Sequence, residues 1–312
     1  MEFLSQYSLF LLKSITIVIA VLAVVGGIFS MSRKKSKQDL QVINLSEKYE
    51  NNKQSLAKEI HGHKAKKKKD KSKRHRTLYV IEFSGDIKAS QVEQLRDEIS
   101  AVLSVACSDD EVVIKLDSPG GAVNGYGLAA SQLQRIRDKN IPLTVCIDKM
   151  AASGGYLMAC VADQIVAAPF AIIGSIGVVA QIPNFYRWLQ KNHIDIELMT
   201  AGEYKRTLTL FAENTEKGRK KFQEELEQIH QTFRDYVHHH REQLDIDKVS
   251  TGEHWLAKDA FQLSLVDKLS TSDDYIIQKM DEFKAFEIKI EAKPSLINKL
   301  LKPAMNLLHP WG

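Results

Sequence analysis

From Pro142 to Pro169 the chain reads "PLTVCIDKMAASGGYLMACVADQIVAAP", and the class of fold turns on how this run is parsed. "PLTVCID" is short, apolar and β-branched, the pattern of a strand buried on both faces. "DQIVAAP" repeats that pattern. Between them, Lys149 to Cys160 packs small residues around one serine, Ser153, and leads into a helical segment. Strand, turn, helix and strand make a βαβ unit, which belongs to a parallel sheet. The small residues around Ser153 have two readings. They let a helix pack closely, or they let a substrate backbone reach a nucleophile.

The same alternation extends in both directions. "TLYVIEF", "EVVIKL", "IGVVAQIP" and "DIELMT" have strand character. "SQVEQLRDEISAVLSVA" places Val92, Leu95, Ile99 and Leu103 on one helical face, and "NGYGLAASQLQRIRDK" and "NFYRWLQKN" are further helices. From Glu216 to Arg241 runs a long charged helix with an apolar stripe of Phe222, Leu226, Ile229, Phe233 and Val237. The expected fold class is therefore α/β with a mostly parallel sheet, and order is expected to begin near Leu78. No internal repeat is present.

The ends differ from this middle. Ser14 to Met31, "SITIVIAVLAVVGGIFSM", carries no charge, and a run of about 18 apolar residues is long enough to span a bilayer. A cleaved signal peptide has its basic cluster before the apolar run; here "RKKSK", Arg33 to Lys37, comes after it. The run is read as an uncleaved anchor, and the positive-inside rule puts the main domain in the cytoplasm. The net charge is only +4, but Arg33 to Arg76 is densely basic. That makes it a solvated tether that can lie on anionic lipid. Nucleic acid is a poor fit, since no interleaved aromatics accompany the lysines. Within the tether, residues 39 to 60 read as an amphipathic helix. The tail, "PSLINKLLKPAMNLLHPWG", is apolar on one side. The expected divisions are an anchor over 1–32, a tether over 33–76, a domain over 77–290 and the tail over 291–312.

Four loops could carry chemistry. "LDSPGGAV" holds Gly120 and Gly121 in a turn able to present N–H groups to an oxyanion. "KMAASGGY" places Ser153 at a helix start, with the N–H of Gly154 free. "IIGSIGVV" offers a second hydroxyl, Ser175. A serine needs a base, and the ten histidines lie poorly for it. His61, His63 and His75 are in the tether, His230 and His238 to His240 on the charged helix, and His309 in the tail. His193 and His254 sit in loops not built for a site. Consecutive histidines on a helix point apart, so no metal site is read there. Cys107, Cys146 and Cys160 lack metal or disulfide spacing and read as core residues. A lysine serves as base only when desolvated. "TAGEYKRTLTLF", after the "DIELMT" run, offers Lys205.

"SPGG", "KMAASGGY", "GSIGVV" and "GEYKRTLT", in this order, resemble peptidase family S49, the relatives of signal peptide peptidase A. The anchor, the tether and "GYGLAASQLQRIRDKNIPLTV" resemble an inner-membrane branch of that family. The resemblance implies a Clp-protease/crotonase-like fold and a Ser-Lys serine endopeptidase of the bacterial inner membrane. By position, Ser153 matches the nucleophile, Lys205 the general base and Ser175 the hydroxyl that orients the lysine. Gly154, Gly120 and Gly121 match the oxyanion hole. Many relatives carry an acid after the lysine, where this chain has Arg206. The resemblance also implies a ring-shaped homo-oligomer in which Lys205 reaches the Ser153 of a neighbouring copy. Peptide or unfolded protein is the expected substrate, signal-peptide remnants and membrane-protein segments among them, with no cofactor or metal. The rival readings are a non-catalytic membrane scaffold and an acyl-CoA enzyme. A scaffold has no need of the serine and lysine present here, and acyl-CoA chemistry does not require that pair.

Overall fold

The computed structural model describes residues 11–19, 38–61 and 76–292. The chain forms two compact units, residues 42–289 and the two ends, 1–41 with 290–312. Of the end unit, residues 11–19 are helical and exposed or nearly so. The rest of the expected anchor, "RKKSK", the lysine-rich run over 62–75 and all but the first two residues of the tail lie outside the described residues. Among the described residues, no helix is long and apolar enough to cross a membrane.

The larger unit is a mixed α/β fold. Its strands β2 (Arg76–Ser84), β3 (Glu111–Asp117), β4 (Leu143–Ile147), β6 (Gln164–Ala167), β9 (Lys268–Leu269) and β10 (Phe283–Ala292) lie in the order β10-β2-β3-β4-β6-β9. Every pairing along this series is parallel. A second, small sheet joins β5 (Met150–Ala152), β7 (Ile172–Gly174) and β8 (His254–Leu256), with β8 antiparallel to β7. The expected strands near 77–83, 111–116, 142–148 and 163–169 are thus present.

Side chains alternate across the main sheet with the period of two that a strand imposes. Ile81 and Phe83, Val112 and Ile114, and Leu143 and Val145 face the larger core. Leu78, Val80, Val113, Cys146 and Val166 face the smaller one. Over the first face lie α2 (Val92–Leu103), α3 (Val123–Arg137) and α4 (Gly154–Ala159). Helix α2 buries Leu95, Ile99 and Val102, the i, i+4, i+7 rhythm of one helical face. Helix α3 does the same with Tyr126, Ala130, Leu133 and Ile136. Over the second face Tyr275 and Ile276 project from α9 (Ser272–Lys279). Cys146 and Cys160 are buried core residues, as expected, whereas Cys107, also read as a core residue, is exposed. At the far edge, Arg241 is 3% exposed and donates to both oxygens of Asp267, at 2.8 and 2.6 Å. Asp267 Oδ2 also accepts the N–H of Ile165 at 2.7 Å, which ties that edge to β6.

Three expectations differ from the structure. Residues 39 to 60 are not one helix. They form β1 (Gln38–Asn44) and then α1 (Leu45–His61), so order begins well before Leu78. The turn comes at Asn44, whose side-chain oxygen accepts the N–H of Glu47 at 3.0 Å and so starts the helix. The runs "IGVVAQIP" and "DIELMT" are irregular beyond Gly174, interrupted only by α5 (Tyr186–Lys191). Their β-propensity finds no ladder partner among the described residues, and propensity alone does not make a strand. This segment ends where Thr215 caps α6 (Glu216–His240), its Oγ1 accepting the N–H of Gly218 at 3.1 Å.

Candidate active site

The β5–β7–β8 sheet gathers three of the four sequence loops. β3 ends at Asp117, and the next residue, Ser118, forms a parallel bridge with Ala151 of β5. Ser118 N–H donates to Met150 O at 2.8 Å, and Ala152 N–H donates to Ser118 O at 3.1 Å. Ser153 N–H donates to Gly174 O at 2.8 Å, and Ser175 N–H donates to Glu253 O at 2.6 Å. The "SPGG" turn, the Ser153 turn and the Ser175 turn are therefore laced by backbone bonds into one unit.

Ser153 stands between β5 and α4, at the helix N-cap position, with φ 53° and ψ −118°. A residue with a Cβ rarely adopts a positive φ, and such strain gathers at functional sites. Its hydroxyl does not cap the helix, so Oγ is left for other work. Ser175 has the same φ of 53°. Both serines line one cleft of about 1420 Å³, together with Gly120, Gly121 and Gly154. Its walls are largely apolar, from Leu157 of α4 and Ile229 and Phe233 of α6.

Close approach dictates the glycines. Gly120 has φ +82°, and a Cβ there would lie 2.6 Å from Gly154 N and 2.7 Å from Ala152 O. A Cβ on Gly154 would lie 2.4 Å from Cγ of Tyr126. The candidate oxyanion donors are not equivalent. Gly120 N–H already donates to Ser118 Oγ at 3.1 Å. Gly121 N–H has no acceptor among the described residues. Gly154 is the first residue of α4, where the N–H has no partner inside the helix.

Lys205 is placed differently. It is exposed on the turn over residues 201–205, its N–H donating to Gly202 O at 3.2 Å, and it does not line the cleft that holds Ser153 and Ser175. The neighbouring Glu203 pairs with Lys217 of α6. Lys217 and Lys221 stand over the Tyr204 ring, at 5.8 and 5.5 Å. Arg206, in the position after the lysine, is exposed too. Among the described residues, no group of three or more His, Cys, Asp or Glu could hold a metal.

Several lining residues were not singled out by sequence. His230, read as part of a charged helix face, lines the cleft. The helical stripe of Ile229 and Phe233 pointed to packing, and both residues also wall the cleft. Tyr126 looked like one more helix residue, yet it is fully buried under Gly154.

Comparison with known proteins shows the family. The Peptidase family S49 profile matches residues 135–286, and the Peptidase family S49 N-terminal profile matches residues 2–133. The chain belongs to peptidase family S49, in its SohB-type branch. It is 48% identical over 341 residues to "Probable protease SohB" of Haemophilus influenzae, covering 100% of this chain and 97% of that one. It is 46% identical to the "Probable protease SohB" of Buchnera aphidicola subsp. Schlechtendalia chinensis, over 89% of this chain and 100% of that one. Among solved structures, a membrane-bound stomatin-specific protease in complex with a substrate peptide aligns with TM-score 0.44 and 15% identity, over 75% of this chain and 100% of that one.

Proposed function

We propose that the chain is a membrane-anchored serine endopeptidase of Clp-protease/crotonase-like fold, with Ser153 as nucleophile and Lys205 as general base. The observation that carries this reading is the strained Ser153 turn, set against a glycine turn in an apolar cleft. In the first step Lys205 Nζ takes the Ser153 Oγ proton while Oγ bonds to the peptide carbonyl carbon. The N–H groups of Gly154 and of the Gly120–Gly121 turn face the developing oxyanion, and the free N–H of Gly121 favours it as the turn's donor. The C–N bond then breaks, and the lysine returns its proton to the leaving amine. Water, deprotonated by the same lysine, releases the acyl group and restores Ser153. Ser175 orients the lysine.

In this reading the lysine comes from a neighbouring copy in a ring. Its place outside its own chain's cleft supports that arrangement. So does the exposed apolar surface of the segment between Gly174 and Thr215 that carries it, where Met199 is 84% exposed and Trp188 62%. Docked in a neighbour's apolar cleft, an ammonium loses water, and desolvation favours the neutral amine that a base requires. The anchor over residues 14–31 holds the domain at the inner membrane, on the cytoplasmic side by the charge rule. The apolar walls suit unfolded or membrane-derived peptide segments.

Labelling with a serine-reactive fluorophosphonate tests the assignment. Wild-type chain is expected to label, Ser153→Ala not at all, and Lys205→Ala at least ~10²-fold more slowly. Labelling that persists in Ser153→Ala removes Ser153 as nucleophile.

A further inference from the structure

Beneath the glycine turn runs a chain of buried hydroxyls. Tyr126 Oη donates to the carbonyl of Asp86 at 2.8 Å. A tyrosine hydroxyl has one proton, so in its 2.6 Å bond with Ser118 it must accept. Ser118 Oγ is then the donor to Tyr126, and its lone pairs receive the N–H of Gly120 at 3.1 Å. The order is fixed end to end: Gly120 N–H, Ser118 O–H, Tyr126 O–H, Asp86 carbonyl. Ser118 and Tyr126 are both 0% exposed. Burial pushes the Tyr126 hydroxyl up, so it stays a donor at neutral pH.

The far end of the chain is itself anchored. Asp86 accepts the N–H groups of Lys88 and Ser90, at 3.1 and 2.8 Å, and the Ser90 hydroxyl at 2.8 Å. The next residue, Ile87, accepts the N–H of Ala122 at 2.8 Å. The loop after β2 thus grips the glycine turn from below and from behind.

Two buried hydroxyls are a costly way to fill space, because alanine and phenylalanine would fill the same volume without polar atoms to satisfy. What the hydroxyls add is direction. With its N–H drawn down to Ser118, Gly120 is held at φ +82°. That leaves the next N–H, of Gly121, as the turn's donor without an acceptor among the described residues. The Tyr126 ring also lies where a Cβ on Gly154 would be. One side chain therefore sets the level of both oxyanion donors.

We propose that Ser118 and Tyr126 are positioning residues, whose hydroxyl chain from Gly120 to Asp86 aligns the glycine turn with the Ser153 nucleophile. The inference rests on the reading of Ser153 given above. Preorganised donors act on the tetrahedral state more than on the bound substrate. The effect should therefore fall on kcat.

The test uses the full-length chain with Tyr126→Phe, Ser118→Ala and the double substitution. Each is assayed with a quenched apolar peptide and with an apolar peptide aldehyde, which forms a tetrahedral adduct on a serine. Each single variant is expected to lose about tenfold in kcat with KM within about twofold, less than the ~10²-fold lost with an oxyanion donor itself. Aldehyde affinity should fall by the same factor as kcat/KM. The double variant should be no worse than the poorer single, since both interrupt one chain. Unchanged kcat in both singles, a loss confined to KM with aldehyde affinity intact, or independent multiplying losses overturns the proposal. Thermal melts accompany the kinetics, and a kcat loss that only tracks the folded fraction in both singles also overturns it. Fluorophosphonate labelling separates the two readings. Labelling that survives Ser153→Ala overturns the Ser153 reading and this inference with it. Ser153-dependent labelling with wild-type kinetics in both singles overturns this inference alone.

Discussion

The backbone at Ser153 pairs a positive φ with a ψ of −118°, a region that glycine tolerates and serine resists. Such a residue costs about 1–3 kcal/mol of stability, held in place by its surroundings. Ser153→Gly should therefore be more stable than Ser153→Ala by about 1 kcal/mol or more. Chemical denaturation of the two inactive variants measures it. Equal midpoints would show that no strain resides there. Ser153 itself was legible in sequence, because small residues on both sides and a strand before it narrow the choices. Ser118 and Tyr126 were not. Both are common residues in a turn and a helix, and what distinguishes them is their bond to each other and the acceptor that Tyr126 reaches across 40 residues, at Asp86. No local pattern encodes a bond of that span.

At the scale of elements, strands buried on both faces were the most readable. Every residue of β4 is buried, and so are Val112, Val113, Ile114 and Leu116 of β3. The strands of the small sheet were not readable, since β5, β7 and β8 have three residues each and exist through their pairing. The arm between Gly174 and Thr215 misled in the other direction. It has the composition of strands and lacks a ladder partner among the described residues. The end of α6 holds a titratable group with a defined consequence. Burial, then His239 and Arg137, lowers the pKa of His240 below its ordinary 6.5. Its ring also packs on Tyr236 at 4.6 Å. The unfolded chain then takes up this proton at higher pH than the folded one. Stability is full above pH 6.5 and falls as pH drops from there toward the lower folded value. His240→Gln should flatten this decline in melts between about pH 7 and 5. A decline as steep as in wild type would place its cause elsewhere.

At the scale of the whole molecule, the proposed site is divided. The serine, the glycine turn and Ser175 share one cleft, and Lys205 lies on an exposed turn of the apolar arm. Chains carrying Ser153→Ala and chains carrying Lys205→Ala are each expected to be inactive. Mixed and reassembled, they should regain activity, because an intact serine then meets an intact lysine on another copy. Equal mixing of randomly assembling copies allows about a quarter of the serine–lysine pairings to be intact. Continued inactivity in well-formed mixed assemblies would place both residues in one chain. The family was legible from four motifs in order, while a divided site was implied only by the family resemblance, because spacing along a chain does not say which copy a loop serves.

The backbone lacing of the three turns also predicts how the site appears to a solvent deuteron. The amides of Ser118, Ala152 and Ser153 are bonded to carbonyls of the laced turns and should exchange slowly. Those of Gly121 and Gly154 have no such acceptor among the described residues and should exchange fast. A slow–fast boundary would then run through the site, with the frame on one side and the donors on the other. A tetrahedral adduct on Ser153 should slow the two fast amides and leave the slow ones unchanged. The resting chain would thus carry its proposed oxyanion hole as two unprotected amides in a protected frame, ready before any substrate arrives.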